Sequence, residues 1–242
     1  MKKHVVMTAS VLAGLSMISG TAFAQTGSVG VNAVRVDSDA GDADAYGVDG
    51  DVIFENGGGW STILSASFTD SDDADGVTSG QAHLINNSGG SAWGLFAGIS
   101  DDGDTSTWDA GAEYAMFMTD STLALNANYA NNDDADVDAY GVSAAYRWFM
   151  GSNLRFDIGG TFGRAESGGF DADVNTIGAG LEYRFDNMPI SVAAAYTRVD
   201  GDIAEADVFG LSLRWNFGDE SLKAADRKGK TFTSLGTALP SL

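Results

Sequence analysis

Residues 140–148 read Tyr-Gly-Val-Ser-Ala-Ala-Tyr-Arg-Trp, and this stretch sets the fold. Tyr140, Val142, Ala144, Tyr146 and Trp148 share one phase; Gly141, Ser143, Ala145 and Arg147 share the other. A period of two is the signature of a strand, and it puts apolar groups on one face and small or polar groups on the opposite one. The apolar face carries aromatics at both ends. The same design recurs on either side, in Trp108–Met116, Leu123–Tyr129, Leu154–Phe162, Ile177–Phe185, Ile190–Tyr196 and Phe209–Phe217. It also holds toward the N-terminus, in Tyr46–Phe54 and Trp60–Phe68, and is faintest near Val29–Val36 and Val77–Ile85.

Two kinds of punctuation take turns between these segments. One is acidic, at 37–44, 70–75, 101–104, 133–138, 166–173 and 200–207; the other is short and nearly neutral, at 56–59, 86–90, 118–121, 150–153 and 186–189. Six of one and five of the other predict about 12 strands, an even number, as a single-chain bacterial barrel requires.

The aromatics argue for lipid outside the sheet. Phe54, Trp60, Trp93, Trp148, Phe185, Trp215 and Phe217 adjoin the neutral turns; Tyr46, Phe68, Trp108, Tyr129, Tyr140, Phe162, Tyr196 and Phe209 adjoin the acidic segments. Eight steps of about 3.4 Å at a tilt of about 40° rise roughly 21 Å, close to the apolar band of an outer-membrane barrel. Tyr and Trp favour the lipid–water boundary, being apolar in body and wet at the tip. The opposite face is small and polar, which suits a wet lumen rather than a dry core. An open sheet edge in lipid would leave backbone groups unpaired, so closure follows. The predicted fold is an all-β, transmembrane, antiparallel up-and-down β-barrel.

Residues 1–24 read as a signal peptide: Lys2 and Lys3, an apolar run from Val5 to Ile18, and Ala22-Phe23-Ala24 before the cleavage point. A membrane-anchoring helix is the competing reading, but that run is too short to span a bilayer. The barrel then occupies 25–217 and a periplasmic C-terminal tail 218–242. The chain has no cysteine, and its formal net charge of −21 argues against nucleic acid as a partner.

Phe209–Phe217, Phe-Gly-Leu-Ser-Leu-Arg-Trp-Asn-Phe, resembles the C-terminal strand signature of outer-membrane proteins. With the signal peptide and the two girdles, the chain resembles the porin-like outer-membrane β-barrel proteins of Gram-negative bacteria over about residues 25–217. The resemblance implies location in the outer membrane and insertion by the barrel-assembly machinery, through the strand ending at Phe217. It implies a channel for passive diffusion of small hydrophilic solutes or ions, cation-preferring if the acidic segments form an extracellular negative mouth. The plainer reading of those segments is solvated tips that keep the protein soluble in transit. The strand number falls short of the 16 of larger porins, and no loop is long enough to fold inward. A non-conducting surface protein with a structural or adhesive role is the alternative, and a homo-oligomer is compatible with either. An autotransporter translocator would need a passenger ahead of the barrel.

Arg147, Arg155, Arg184 and Arg214 fall in the lumen phase toward the neutral turns, with Glu113, Asp157 and Glu182 at similar depth. They read either as a constriction acting on solutes or as pairs that satisfy charge inside the barrel. Arg35, Arg164 and Arg198 fall in the outward phase near the acidic segments, as a rim for lipopolysaccharide phosphates or as snorkelling side chains. The tail holds Lys223, Arg227, Lys228 and Lys230, and reads as frayed; a peptidoglycan contact or a partial plug is the other reading. No enzymatic activity, cofactor or specific metal site is expected. His83, the one histidine after the signal peptide, has no serine-elbow or protease signature beside it. The aspartate-rich segments lack the spacing of a calcium loop.

Overall fold

Alternation of this length leaves each segment one way to satisfy both its faces and its backbone: a strand paired on both sides. A computed structural model shows that arrangement. The structure describes residues 24–233 except 40, 72–75, 133, 203, 204 and 219, so the signal-peptide reading falls almost wholly outside it. The strands are β1 (Ala24–Ser38), β2 (Gly41–Gly57), β3 (Trp60–Ser71), β4 (Val77–Asn87), β5 (Ser91–Asp101) and β6 (Ser106–Phe117). They continue as β7 (Ser121–Asn132), β8 (Val137–Phe149), β9 (Leu154–Ser167), β10 (Phe170–Arg184), β11 (Ile190–Gly201) and β12 (Glu205–Phe217). Each pairs antiparallel with its chain neighbours, and β1 pairs with β12 from Gly27↔Phe217 to Ser38↔Ala206, closing the barrel. The two faintest segments are true strands, β1 and β4.

Three acidic segments differ from the sequence reading. At 37–44, 166–173 and 200–207 most residues belong to strands rather than loops: Asp37 pairs with Asp42, and Glu166 with Asp171. Residues 102–104 and 134–136 are connections. The backbone ladder continues past the apolar band because its hydrogen bonds do not depend on side-chain polarity. The connections at this end are as short as those at the other, residues 39–40 and 168–169 against 58–59 and 88–90. Loop length therefore does not orient the barrel.

The burial pattern is inverted relative to a soluble protein. Leu211 is 66 % exposed, Tyr46 59 % and Trp215 56 %, whereas Arg147, Glu113 and Glu182 are buried. Among the outward residues, Phe68 is an exception, buried beside Gly76 of the following loop. Ring contacts knit the girdles across strands: Trp60 meets Trp93 at 5.5 Å near the neutral turns, and Trp108, Tyr129 and Tyr140 follow one another at 5.2 and 5.3 Å near the acidic end.

After Phe217 the chain turns back. Ser221 caps a short helix, α1 (Leu222–Ala225), through its side chain, and a π-helical turn follows at Asp226–Lys230. Leu222, Ala225, Asp226, Lys230, Thr231 and Phe232 are all buried. The described part of the tail is therefore not frayed but packed into the barrel. Phe232 joins Ile53, Ile63, Ile85, Ala92 and Ala115 in an apolar cluster, with Phe117 against it. These five barrel residues are in the inward phase, so the lumen is not polar throughout: near the neutral turns of β2–β6 it holds a small dry core.

Candidate functional site

Register brings the inward charges together. Arg147 on β8 lies opposite Asp157 on β9, and Arg155 on β9 opposite Glu182 on β10. Arg155 is 2.9 Å from Asp157 and 3.2 Å from Glu182, while Arg147 is 3.5 Å from Asp157. The run extends around the wall. Ser191 donates to Glu182 at 2.7 Å, and the Asn216 amide donates to Ser191 at 3.0 Å. Arg214 reaches Asp49 at 2.6 Å, two strands away, across Gly30 of β1. A Cβ at Gly30 would sit 2.9 Å from Cγ of Arg214, so this reach needs a glycine. Ser28 donates to Asp51 at 2.6 Å, and Asn32 to Asp49 at 3.2 Å.

The tail completes this network. Arg147 donates to Asp226 at 3.0 Å and to the hydroxyl of Thr231, and Thr122 donates to the other Asp226 oxygen at 2.7 Å. Lys230 donates to Asn216 at 3.2 Å and lies 3.8 Å from Asp51. Buried charges survive in a protein interior when paired and hydrogen-bonded, and each of these is.

Five of the seven pore-lining charges expected from the sequence thus have charged partners inside the barrel, and a sixth has a hydrogen-bond partner. Glu113 is the sixth, on the opposite wall: it accepts from, or donates to, His83 Nδ1 at 3.0 Å, and the ring of Phe96 lies 5.5 Å from that imidazole. Beside them Gln81 donates to Asp109 at 2.9 Å. Arg184 differs. It is half-buried and has no ion pair among the described residues.

Arg35, Arg164 and Arg198 stand on the outward rim, each among carboxylates of its own hairpin. Arg35 is 2.9 Å from Asp37 and 2.6 Å from Asp42. Arg164 pairs with Asp171 and Glu166, and Arg198 with Glu205 and Asp207. All three hairpins share one spacing, Arg-x-acid-x4-acid-x-Asp: Arg35, Asp37, Asp42, Asp44; Arg164, Glu166, Asp171, Asp173; Arg198, Asp200, Glu205, Asp207. The hairpins are β1–β2, β9–β10 and β11–β12, which are consecutive in the closed sheet. One half of the rim is therefore ionic, and the other carries the Trp108–Tyr129–Tyr140 row.

Sequence reasoning placed Asp49 and Asp51 on the polar inward face but missed their partners Arg214 and Lys230, and it missed the repeated spacing, the lumen place of His83, and the tail residues Asp226, Thr231 and Phe232. A signal for the last was present. Ile53, Ile63 and Ile85 occupy the inward phase of three consecutive strands at the same end, which a wet lumen does not explain.

No family model matches the sequence, and no curated protein matches it. Among solved structures the barrel is similar to an outer membrane channel from Pseudomonas putida F1, at 11 % identity and a TM-score of 0.59 over 81 % of this chain and 96 % of that one. It is similar to the NanC porin, at 9 % identity and a TM-score of 0.59 over 78 % and 100 % of the two chains. The KdgM porin follows, at 8 % identity and a TM-score of 0.56 over 78 % and 99 %. At such identities the likeness is one of fold, a closed, antiparallel, up-and-down β-barrel of twelve strands.

Proposed function

We propose that the protein is an outer-membrane channel of porin type, passing small hydrophilic solutes or ions by diffusion with a preference for cations. The observation that carries this reading is the inverted barrel, with exposed apolar residues and aromatic girdles outside and, over β8–β12 and into β1 and β2, a polar, charge-paired wall within. Such a wall replaces part of the hydration of a passing solute. Cation preference rests on the hairpin ends, where carboxylates outnumber the three arginines, because the lumen charges largely cancel in pairs. In this reading the chain is exported, its signal peptide is removed after Ala24, and the acidic hairpins face outward from a Gram-negative cell. Both ends of the barrel, near Gly27 and Phe217, then lie on the periplasmic side, and Phe217 ends the strand that the assembly machinery engages. Arg35, Arg164 and Arg198 meet the phosphates of lipopolysaccharide, with divalent cations bridging those phosphates to the neighbouring carboxylates.

One observation favours the alternative of a non-conducting surface protein: most of the lumen charges are paired within the barrel and the tail fills one mouth. Planar-bilayer recording of the refolded protein, with and without its tail, separates the two. Discrete steps with a reversal potential displaced toward the cation in a salt gradient are expected. A folded barrel silent in both forms would sink the channel.

A further inference from the structure

We infer that residues 220–233 are an autoinhibitory plug, which closes the lumen at the neutral-turn end and must leave for solutes to pass. The inference rests on the channel reading. Its first support is position. Asp226 binds Arg147 on β8, and Lys230 lies 3.8 Å from Asp51 on β2. In the closed order β8 and β2 are six strands apart, on opposite walls of a twelve-strand ring. The segment therefore crosses the lumen instead of lying along one side.

Its second support is fit. Phe232 fills the apolar patch made by Ile53, Ile63 and Ile85. Gly229 brings the chain there: its φ of 125° is open to glycine, and a Cβ at that position would lie 2.8 Å from Cδ1 of Ile63. Emptying the site would wet three isoleucines and strip Arg147 of two partners, so the closed state is the resting one.

Its third support is a separate, exposed set of contacts at the mouth. Lys223 pairs with Asp120 at 2.7 Å, and Lys228 with Glu55 at 2.6 Å and with Glu220. Arg227 donates to the carbonyls of Met118 and Thr119 at 2.5 and 2.9 Å, and its own carbonyl accepts from Asn87. Three neutral turns or their strand ends are thereby tied to one segment. Contacts of this kind are screened by salt, whereas those inside are not, so the mouth is where the plug is loosened first.

The cysteine-free chain allows a direct test. Bilayer recordings would compare the mature chain, a chain ending at Gly218, and D120C/K223C bridged by a short bis-methanethiosulfonate, which forms a disulfide with each cysteine by releasing methanesulfinate and is cleaved by reduction; heat-modifiable migration on gels checks folding. The tail-deleted barrel should show at least tenfold higher open probability than the full chain. The bridged protein should fall below the full chain and recover on reduction. Equal conductance in all three forms overturns the plug and leaves the channel reading intact. Silence of a folded, tail-deleted barrel overturns the channel reading itself, and the plug with it. Should the deletion not fold, the full-length F232A/K223A/K228A variant replaces it, with increased opening expected and unchanged opening counting against the plug.

Discussion

The barrel holds two sets of three arginines that chemistry alone does not distinguish. Arg147, Arg155 and Arg214 point into the lumen; Arg35, Arg164 and Arg198 point outward at the hairpin ends. Both sets are held by carboxylates at ordinary ion-pair distances, 3.0 Å for Arg147–Asp226 and 2.6 Å for Arg35–Asp42. They differ in water. The inner side chains are 3 %, 10 % and 15 % exposed and the outer ones 50 %, 43 % and 36 %. An ion pair in water is worth little because solvent competes for both partners, whereas a buried one is costly to break because each partner is left uncompensated. The inner set therefore fixes the shape of the lumen, while the outer set, half in water, leaves its side chains free to exchange partners.

The largest test of this contrast is Arg147→Ala. It strands Asp226 and leaves Asp157 with Arg155 alone, and should cost about 3–5 kcal/mol of barrel stability, read by urea unfolding in lipid. Arg35→Ala, measured the same way, should lie within error of the parent. Equal losses would mean that the rim is as dry as the lumen, and the distinction would collapse.

A finer measurement uses double-mutant cycles. Arg155 with Glu182 should couple by about 1–3 kcal/mol. Arg164 with Asp173, 3.7 Å apart at the surface, should show no resolvable coupling, and less still in molar salt. Strong coupling of the second pair would point to a lipid or cation holding the rim together.

The same contrast explains what could be read from the chain. The strands, their two faces and the girdles were legible because lipid and lumen impose a period of two on nearly every segment. Arg147 and Asp157 could be assigned to the lumen, but not to each other, until the 150–153 turn fixed the register between β8 and β9. The plug was hidden for another reason. Thr231 meets Arg147 across 84 residues of sequence, and no local pattern encodes such a contact. Segments 37–44, 166–173 and 200–207 were mistaken for loops because aspartate disfavours strands on average, and at these hairpins the ladder prevailed.

pH separates the two ends of the molecule by smaller amounts. At the mouth, hydrogen bonds from Lys228 to Glu220 and then Glu55 raise its pKa above the ordinary lysine value. A group whose pKa is raised on folding contributes fully below its unfolded value and loses that contribution as pH rises through the folded one. The Lys228 contribution to tail seating should therefore be lost only in strongly alkaline solution, seen as increased protease cleavage within 220–233, and K228M should blunt that change. At the opposite end the sign reverses. Backbone N–H groups of Thr105 and Asp104 hold Asp102 below the ordinary aspartate value. Its contribution is present above the unfolded pKa and disappears as pH falls through the folded one. Amide exchange at Thr105 should accelerate in acid relative to the intrinsic rate, and D102N should blunt the change. Since the carboxylate is exposed, the effect should stay within that β5–β6 turn and leave the lumen contacts untouched.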